Sequence, residues 1–192
     1  MARLMLFMRK TFMLIPALLA GLLLSSCTNQ AEPDSATTAT MQITSTAFAE
    51  GQPIPDKYTG QADDISPRLE WSGAPMNTKA FAFIVEDPDA PMGTFTHWLI
   101  YNVPGTATGL SQNIAKTGTL PDGSKQGKNS FGNVGYNGPM PPPGKTHRYF
   151  FRLYALDAAL KLDPGVDTAR LLSAMKDHVL AKGELMGTYQ RQ

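Results

Sequence analysis

A single cysteine, Cys27, is all the thiol this 192-residue chain possesses. No disulfide can form within it, and no cysteine is left in the rest of the chain to act as a nucleophile. Acidic residues are missing from the first 31 positions, where Arg3, Arg9 and Lys10 supply the only charge. Common catalytic signatures are missing too: there is no G-x-S-x-G elbow and no H-E-x-x-H pair. Gly123 to Ser130 imitates a phosphate-binding loop but fails it twice. Its glycine spacing is one short, and Asn129 stands where Ser or Thr would be required.

What is present begins with a basic head and an apolar run from Thr11 to Leu24, broken only by Pro16 and Gly21. A spanning helix needs about 20 apolar residues, so the run has signal-peptide length instead. It ends in Leu24-Ser25-Ser26-Cys27, which resembles the lipobox of bacterial lipoprotein signals. That resemblance implies that residues 1–26 are removed, with the thiol of Cys27 acylated. Met8 would also serve as a start, with Arg9-Lys10 at the head of a shorter signal. Thr28 stands where an inner-membrane retention signal would have aspartate, so the sorting pattern points to the outer membrane. The expected place is the cell envelope, facing the periplasm. Loss of the signal leaves 14 basic residues against 16 acidic, a net charge of −2. No basic stripe remains to follow phosphates along a nucleic acid, so nucleic-acid binding is not expected.

Residues 27–40 contain no large apolar side chain after Cys27. They cannot offset the entropy of ordering and read as a flexible tether. Residues 41–192 form one domain, long enough to bury a core without staples. Phe81–Val85 is a short apolar run stopped by Asp87-Pro88, and His97–Val103 alternates around Trp98, Ile100 and Asn102. In His147–Leu156 the period of two puts His147, Tyr149, Phe151, Leu153 and Ala155 on one face. Glu184–Tyr189 reads as a last strand. The result is a mainly β domain, a sandwich or barrel. One helix is expected from Thr168, capped by Asp167, with Leu171, Leu172, Met175 and Val179 at helical spacing. His178, near its end, reads as structural. Between Pro104 and Lys145, fifteen of the 42 residues are Gly or Pro. A loop of that kind is stiff, because each proline fixes its own φ.

The chemistry collects at strand ends. Asp87-Pro88-Asp89-Ala90-Pro91 closes one strand, His97-Trp98 opens another, and His147-Arg148-Tyr149 opens a third. Two imidazoles, a carboxylate, a phenol and exposed glycine amides could line one cavity suited to a small oxyanion. A carboxylate cannot accept from an anion; its task would be to orient a histidine and raise its pKa.

These segments occur together with Ile65-Ser66-Pro67-Arg68-Leu69-Glu70-Trp71, Tyr136-Asn137-Gly138-Pro139 and a closing Gly187-Thr188-Tyr189. From about Ile43 to Tyr189 the chain resembles the phosphatidylethanolamine-binding protein (PEBP) family, in its bacterial Raf-kinase-inhibitor-like branch. The resemblance implies a Greek-key fold of two antiparallel sheets, with one or two short helices near the C-terminus. It also implies a ligand pocket of Asp87, His97, Gly138, Pro139, His147 and Tyr149, with Asp89 and Tyr136 nearby. Met140 departs from the family pattern, in which bacterial relatives carry cysteine after the Gly-Pro.

The expected function is binding of a small phosphorylated or anionic ligand, such as a phospholipid headgroup, without enzymatic activity or a cofactor. An alternative is a protease inhibitor working through the Pro139–Lys145 surface. A third is a metal-dependent enzyme, since two histidines and a carboxylate match a known ligand set. Their spacing is too wide to assign a metal from sequence.

Overall fold

The computed structural model describes residues 39–192. The signal segment, Cys27 and nearly all of the tether lie outside the described residues. The strands are β1 (Ala39–Thr40), β2 (Gln42–Thr44), β3 (Leu69–Ser72), β4 (Ala80–Asp87), β5 (Phe95–Pro104), β6 (Gly109–Leu110), β7 (Lys125–Gln126), β8 (Thr146–Leu156) and β9 (Val179–Gln190). One helix, α1, covers Thr168–Met175.

The larger sheet has the order β1-β9-β8-β4-β5-β7, and the smaller one the order β2-β3-β6. Only β1 runs parallel to its neighbour. Strands β4, β5 and β7 lie side by side in chain order, and β8 returns along a long connection to the far side of β4. That is the Greek-key arrangement expected.

The alternation of β8 is realised along its length. Tyr149, Phe151, Leu153 and Ala155 enter the core between the sheets, where they meet Ile43, Trp71, Phe81 and Phe83. Arg148, Phe150, Arg152 and Tyr154 on the opposite face are only partly covered or exposed. Strand β4 is buried on both faces, which explains its continuous apolar run. Phe81, Phe83 and Val85 face the smaller sheet. Ala82 and Ile84 face Leu160, Leu162 and two residues of α1, Leu171 and Met175.

The helix starts as expected, with Arg170 N donating to Asp167 Oδ1 at 2.8 Å. It stops a turn early. Val179 belongs to β9, and His178 turns its Nδ1 to Asp157 Oδ1 at 2.7 Å instead of continuing the helix. The apolar period that carried the helix to Val179 was shared with the strand that follows.

Two irregularities in β5 matter. Phe81 faces Val103 while Phe83 faces Ile100, and Val85 faces Trp98 while Glu86 faces Thr96. Each leaves one extra residue on β5, the signature of a β-bulge. Asn102, at φ 56°, occupies the first and grips both backbone groups of Leu160. His97 occupies the second.

The smaller sheet can approach β9 because Gly183 has no side chain. A Cβ there would stand 2.6 Å from the Met41 carbonyl oxygen. Gly183→Ala must push β2 away, and overpacking of this kind costs about 1–3 kcal/mol. Urea unfolding should show a lower midpoint with an unchanged slope.

Candidate functional site

Asp87 is the last residue of β4 and is 3% exposed. Its Oδ2 lies 2.7 Å from His147 Nδ1, and its Oδ1 accepts from the Asp89 amide at 2.8 Å. His147, the second residue of β8, is itself 5% exposed. The buried pair therefore joins the ends of two neighbouring strands.

His97 reaches the same wall through its bulge. Strict alternation with Trp98 and Ile100, which face the core, would send its side chain to the opposite side of the sheet. The extra residue re-aims it, and its ring lies edge-on to Tyr149 at 5.2 Å between centroids. His97 Nδ1 lies 2.8 Å from the Asn137 carbonyl oxygen. Burial pushes its pKa down, and the upward pulls of that carbonyl and of Asp87 do not reverse the shift. The expectation that a carboxylate would raise it is corrected for His97, where desolvation wins.

Tyr149 is fully buried, and its hydroxyl has no hydrogen-bond partner. Burial, with the nearby Asp87 carboxylate, pushes its pKa far up, so the phenol keeps its proton.

The cavity holds about 380 Å³ and is lined by Asp87, His97 and His147 with an apolar rim. Met92, Phe131 and Met140 are three of the five exposed large apolar side chains among the described residues, and all three stand on that rim. A larger groove of about 870 Å³ runs past Pro53–Asp56 and Thr188–Gln190. Its one carboxylate, Asp56, already accepts from the Tyr189 hydroxyl, so the histidine-lined cavity has the richer chemistry.

Tyr149 and the remaining expected residues support the cavity without lining it. Asp89 accepts from Arg148 N, Nε and Nη2, at 3.0, 2.9 and 2.7 Å. The guanidinium holds its carboxyl down at about 2. The contact straps the Asp87–Pro91 turn to β8. Tyr136 is fully buried, and its hydroxyl donates to the Tyr58 carbonyl at 2.7 Å. Pro139 is buried, and its carbonyl accepts from Gly60 N at 3.0 Å. Gly138 has no room for a Cβ, which would collide with the Tyr58 carbonyl. Its amide is committed to Asp64 Oδ1 at 2.6 Å, so it is not the free anion donor expected from sequence.

Sequence reasoning missed Asp64 and Asn137. Asp64 sits at φ 53° and accepts from the Gly138 amide, from Asn137 Nδ2 at 2.8 Å and from Lys116 Nζ at 2.6 Å. Asn137 Oδ1 accepts from Asn129 Nδ2 at 2.8 Å and Asn133 Nδ2 at 3.1 Å. Its backbone brackets His97, donating N–H to the His97 carbonyl at 3.0 Å and offering its own carbonyl to Nδ1. Asp64 immediately precedes the Ile65–Trp71 motif, the one signal that pointed to it. Asp64→Asn keeps a residue that tolerates the left-handed backbone. It turns an N–H towards Asn137 and Lys116, where two acceptor contacts were. Charged hydrogen bonds are worth about 1.5–3 kcal/mol, and unfolding should report a loss in that range. The imidazole 15N shifts of His97, fixed as Nδ1–H in the wild type, should move towards a tautomer mixture.

The family model described as phosphatidylethanolamine-binding protein matches residues 44–190. A UPF0098 protein of Methanothermobacter thermautotrophicus is 49% identical over 151 residues, covering 79% of this chain and 99% of that relative. One from Aquifex aeolicus is 43% identical over 159 residues, covering 82% of this chain and 92% of its own. Among solved structures, the PEBP homolog CT736 of Chlamydia trachomatis superposes with a TM-score of 0.73 at 41% identity, over 80% of this chain and 99% of its own. YbcL of E. coli, described as a member of the mammalian PEBP family, gives 0.75 at 34% identity, over 80% of this chain and all of its own. On sequence and fold together, the chain belongs to the phosphatidylethanolamine-binding protein family.

Proposed function

We propose that this chain is a binding protein, not an enzyme, for a small phosphorylated or otherwise anionic group, held on the cell envelope through a lipid on Cys27. The observation that carries the pocket reading is the pair of buried imidazoles, His97 and His147, that line the cavity. Each keeps one ring nitrogen without a protein partner among the described residues, and the Tyr149 hydroxyl lies behind them beside the Asp87 carboxylate. Such a wall suits the oxygens of a phosphate or carboxylate. Asp87 lines the cavity too, but a carboxylate cannot donate to an anion, and its part is to orient His147 through Nδ1. The apolar rim gives the rest of the ligand somewhere to lie, as binding pockets of this size commonly do.

The family name refers to phosphatidylethanolamine, and a phospholipid headgroup is one source of such a phosphate. A cavity of about 380 Å³ takes a headgroup but not two acyl chains. No hydrolytic role follows from the geometry. The Asp87–His147 pair has the look of an activating dyad, yet among the described residues no serine, threonine or cysteine lines the cavity except Thr94 on the exposed turn.

Titration calorimetry with O-phosphorylethanolamine at about pH 6 tests the pocket. A charged hydrogen bond of about 1.5–3 kcal/mol makes His147→Ala bind roughly 10- to 100-fold more weakly. Undiminished affinity in the His97→Ala/His147→Ala double variant would place the site elsewhere. The anchor has its own test: cells fed a palmitate analogue should label the wild type and not Cys27→Ala.

A further inference from the structure

Both pocket imidazoles have committed the same nitrogen. His97 Nδ1 faces the Asn137 carbonyl oxygen at 2.8 Å, and a carbonyl only accepts, so Nδ1 carries the hydrogen. His147 Nδ1 faces Asp87 Oδ2 at 2.7 Å, and an ionised carboxylate likewise only accepts. Neither Nε2 has a protein hydrogen bond among the described residues, and both rings line the cavity. In a neutral ring that nitrogen is a lone pair. It becomes a donor only when the ring takes up a second proton.

Two neighbouring amides are already engaged. The Gly138 amide is committed to Asp64 and the Asp89 amide to Asp87. Arg148 folds onto Asp89, away from the cavity. The titratable groups facing His97 are Asp87 from β4, His147 and Tyr149 from β8, Asp64 from the loop before β3, and Tyr136, whose hydroxyl is bound to Tyr58. Burial outweighs both carboxylates and keeps His97 neutral at physiological pH. An anion without a hydrogen of its own would meet a lone pair there.

We propose that the pocket captures a phosphomonoester together with one proton, as the singly protonated ester whose P–OH donates to His97 Nε2, and that it discriminates against phosphodiesters. This rests on the anion-pocket reading above and narrows it. A diester, which is the state of phosphate in an intact phospholipid, has no P–OH to offer. It would have to charge a buried imidazole instead. The proton balance is simple. The second ionisation of a phosphomonoester falls near about pH 6. Above it, the free ester is a dianion and His97 is neutral, so the complex takes one proton from solvent. Below it, the ester brings that proton itself. No bond to phosphorus forms or breaks.

Calorimetric titration in buffers of differing ionisation enthalpy counts the protons taken up. O-phosphorylethanolamine, the free ester, should draw in nearly one proton per molecule at about pH 7.5 and almost none at pH 5. Its affinity should fall close to tenfold per pH unit above about pH 7, as linkage to one proton requires. The diester sn-glycero-3-phosphoethanolamine, which represents the lipid headgroup, should bind at least tenfold more weakly at pH 5, where the phosphate group of each compound carries a single negative charge. His97→Asn retains an N–H for the Asn137 carbonyl and lacks Nε2, so proton uptake and the preference should both disappear. Monoester binding with little proton uptake, equal affinity for the diester, or uptake persisting in His97→Asn would overturn the proposal and leave the anion pocket standing. Failure of both compounds to bind at any pH would overturn both.

Discussion

The buried contact between Asp87 and His147 is the constraint on which the rest of the site depends. It closes β4 against β8 at one end of the larger sheet, with both side chains almost entirely removed from water. Desolvating a carboxylate costs several kcal/mol, so it must be fully engaged. It is: Oδ2 holds the imidazole, and Oδ1 holds the amide of Asp89. The second bond makes the turn after β4 bend back. Asp89 then meets the backbone and guanidinium of Arg148, the next residue along β8. Two successive residues of β8 are thus clamped by two acidic residues of one short turn.

The opposite wall is held by a polar network instead of a strand pair. Asn137 has all four of its hydrogen-bonding groups engaged, two with His97 and two with the side chains of Asp64, Asn129 and Asn133. A network satisfied throughout is rigid, which is what a loop poor in regular structure needs if it is to shape a cavity. The glycines and prolines between residues 104 and 145 therefore serve one purpose. Gly138 lets the chain pass against Tyr58, and the prolines after it carry the chain stiffly back to β8.

Legibility from sequence followed the range of the interaction. The face of β8 was readable because period-two alternation is local, and so was the Asp167 cap. The residues of the cavity were reached through short motifs, and the structure brings Asp87, His97 and His147 together. The errors share a cause. The alternation read around Trp98, Ile100 and Asn102 fails at Asn102, where a bulge turns the side chain to Leu160, and nothing in the sequence announces either bulge of β5. Asp64 acts on Gly138 across 74 positions of sequence from a left-handed backbone, so its role has no local signature. The helix ran on to Val179 because an apolar residue four positions after Met175 fits either a helix or the strand it actually begins.

The relatives bear on what the domain comprises. The Methanothermobacter relative is covered almost completely by its match, so it comprises little beyond this domain. Every residue that lines the cavity lies within residues 44–190, the span of the family model. The described chain begins at the other end of the larger sheet. Ala39 pairs with Ala181 of β9, and Ala181 pairs with Ala155 of β8. His147 lies eight residues back along β8, roughly 26 Å away at about 3.3 Å per residue. The described chain thus enters the larger sheet far from the cavity, at the end of β8 opposite His147.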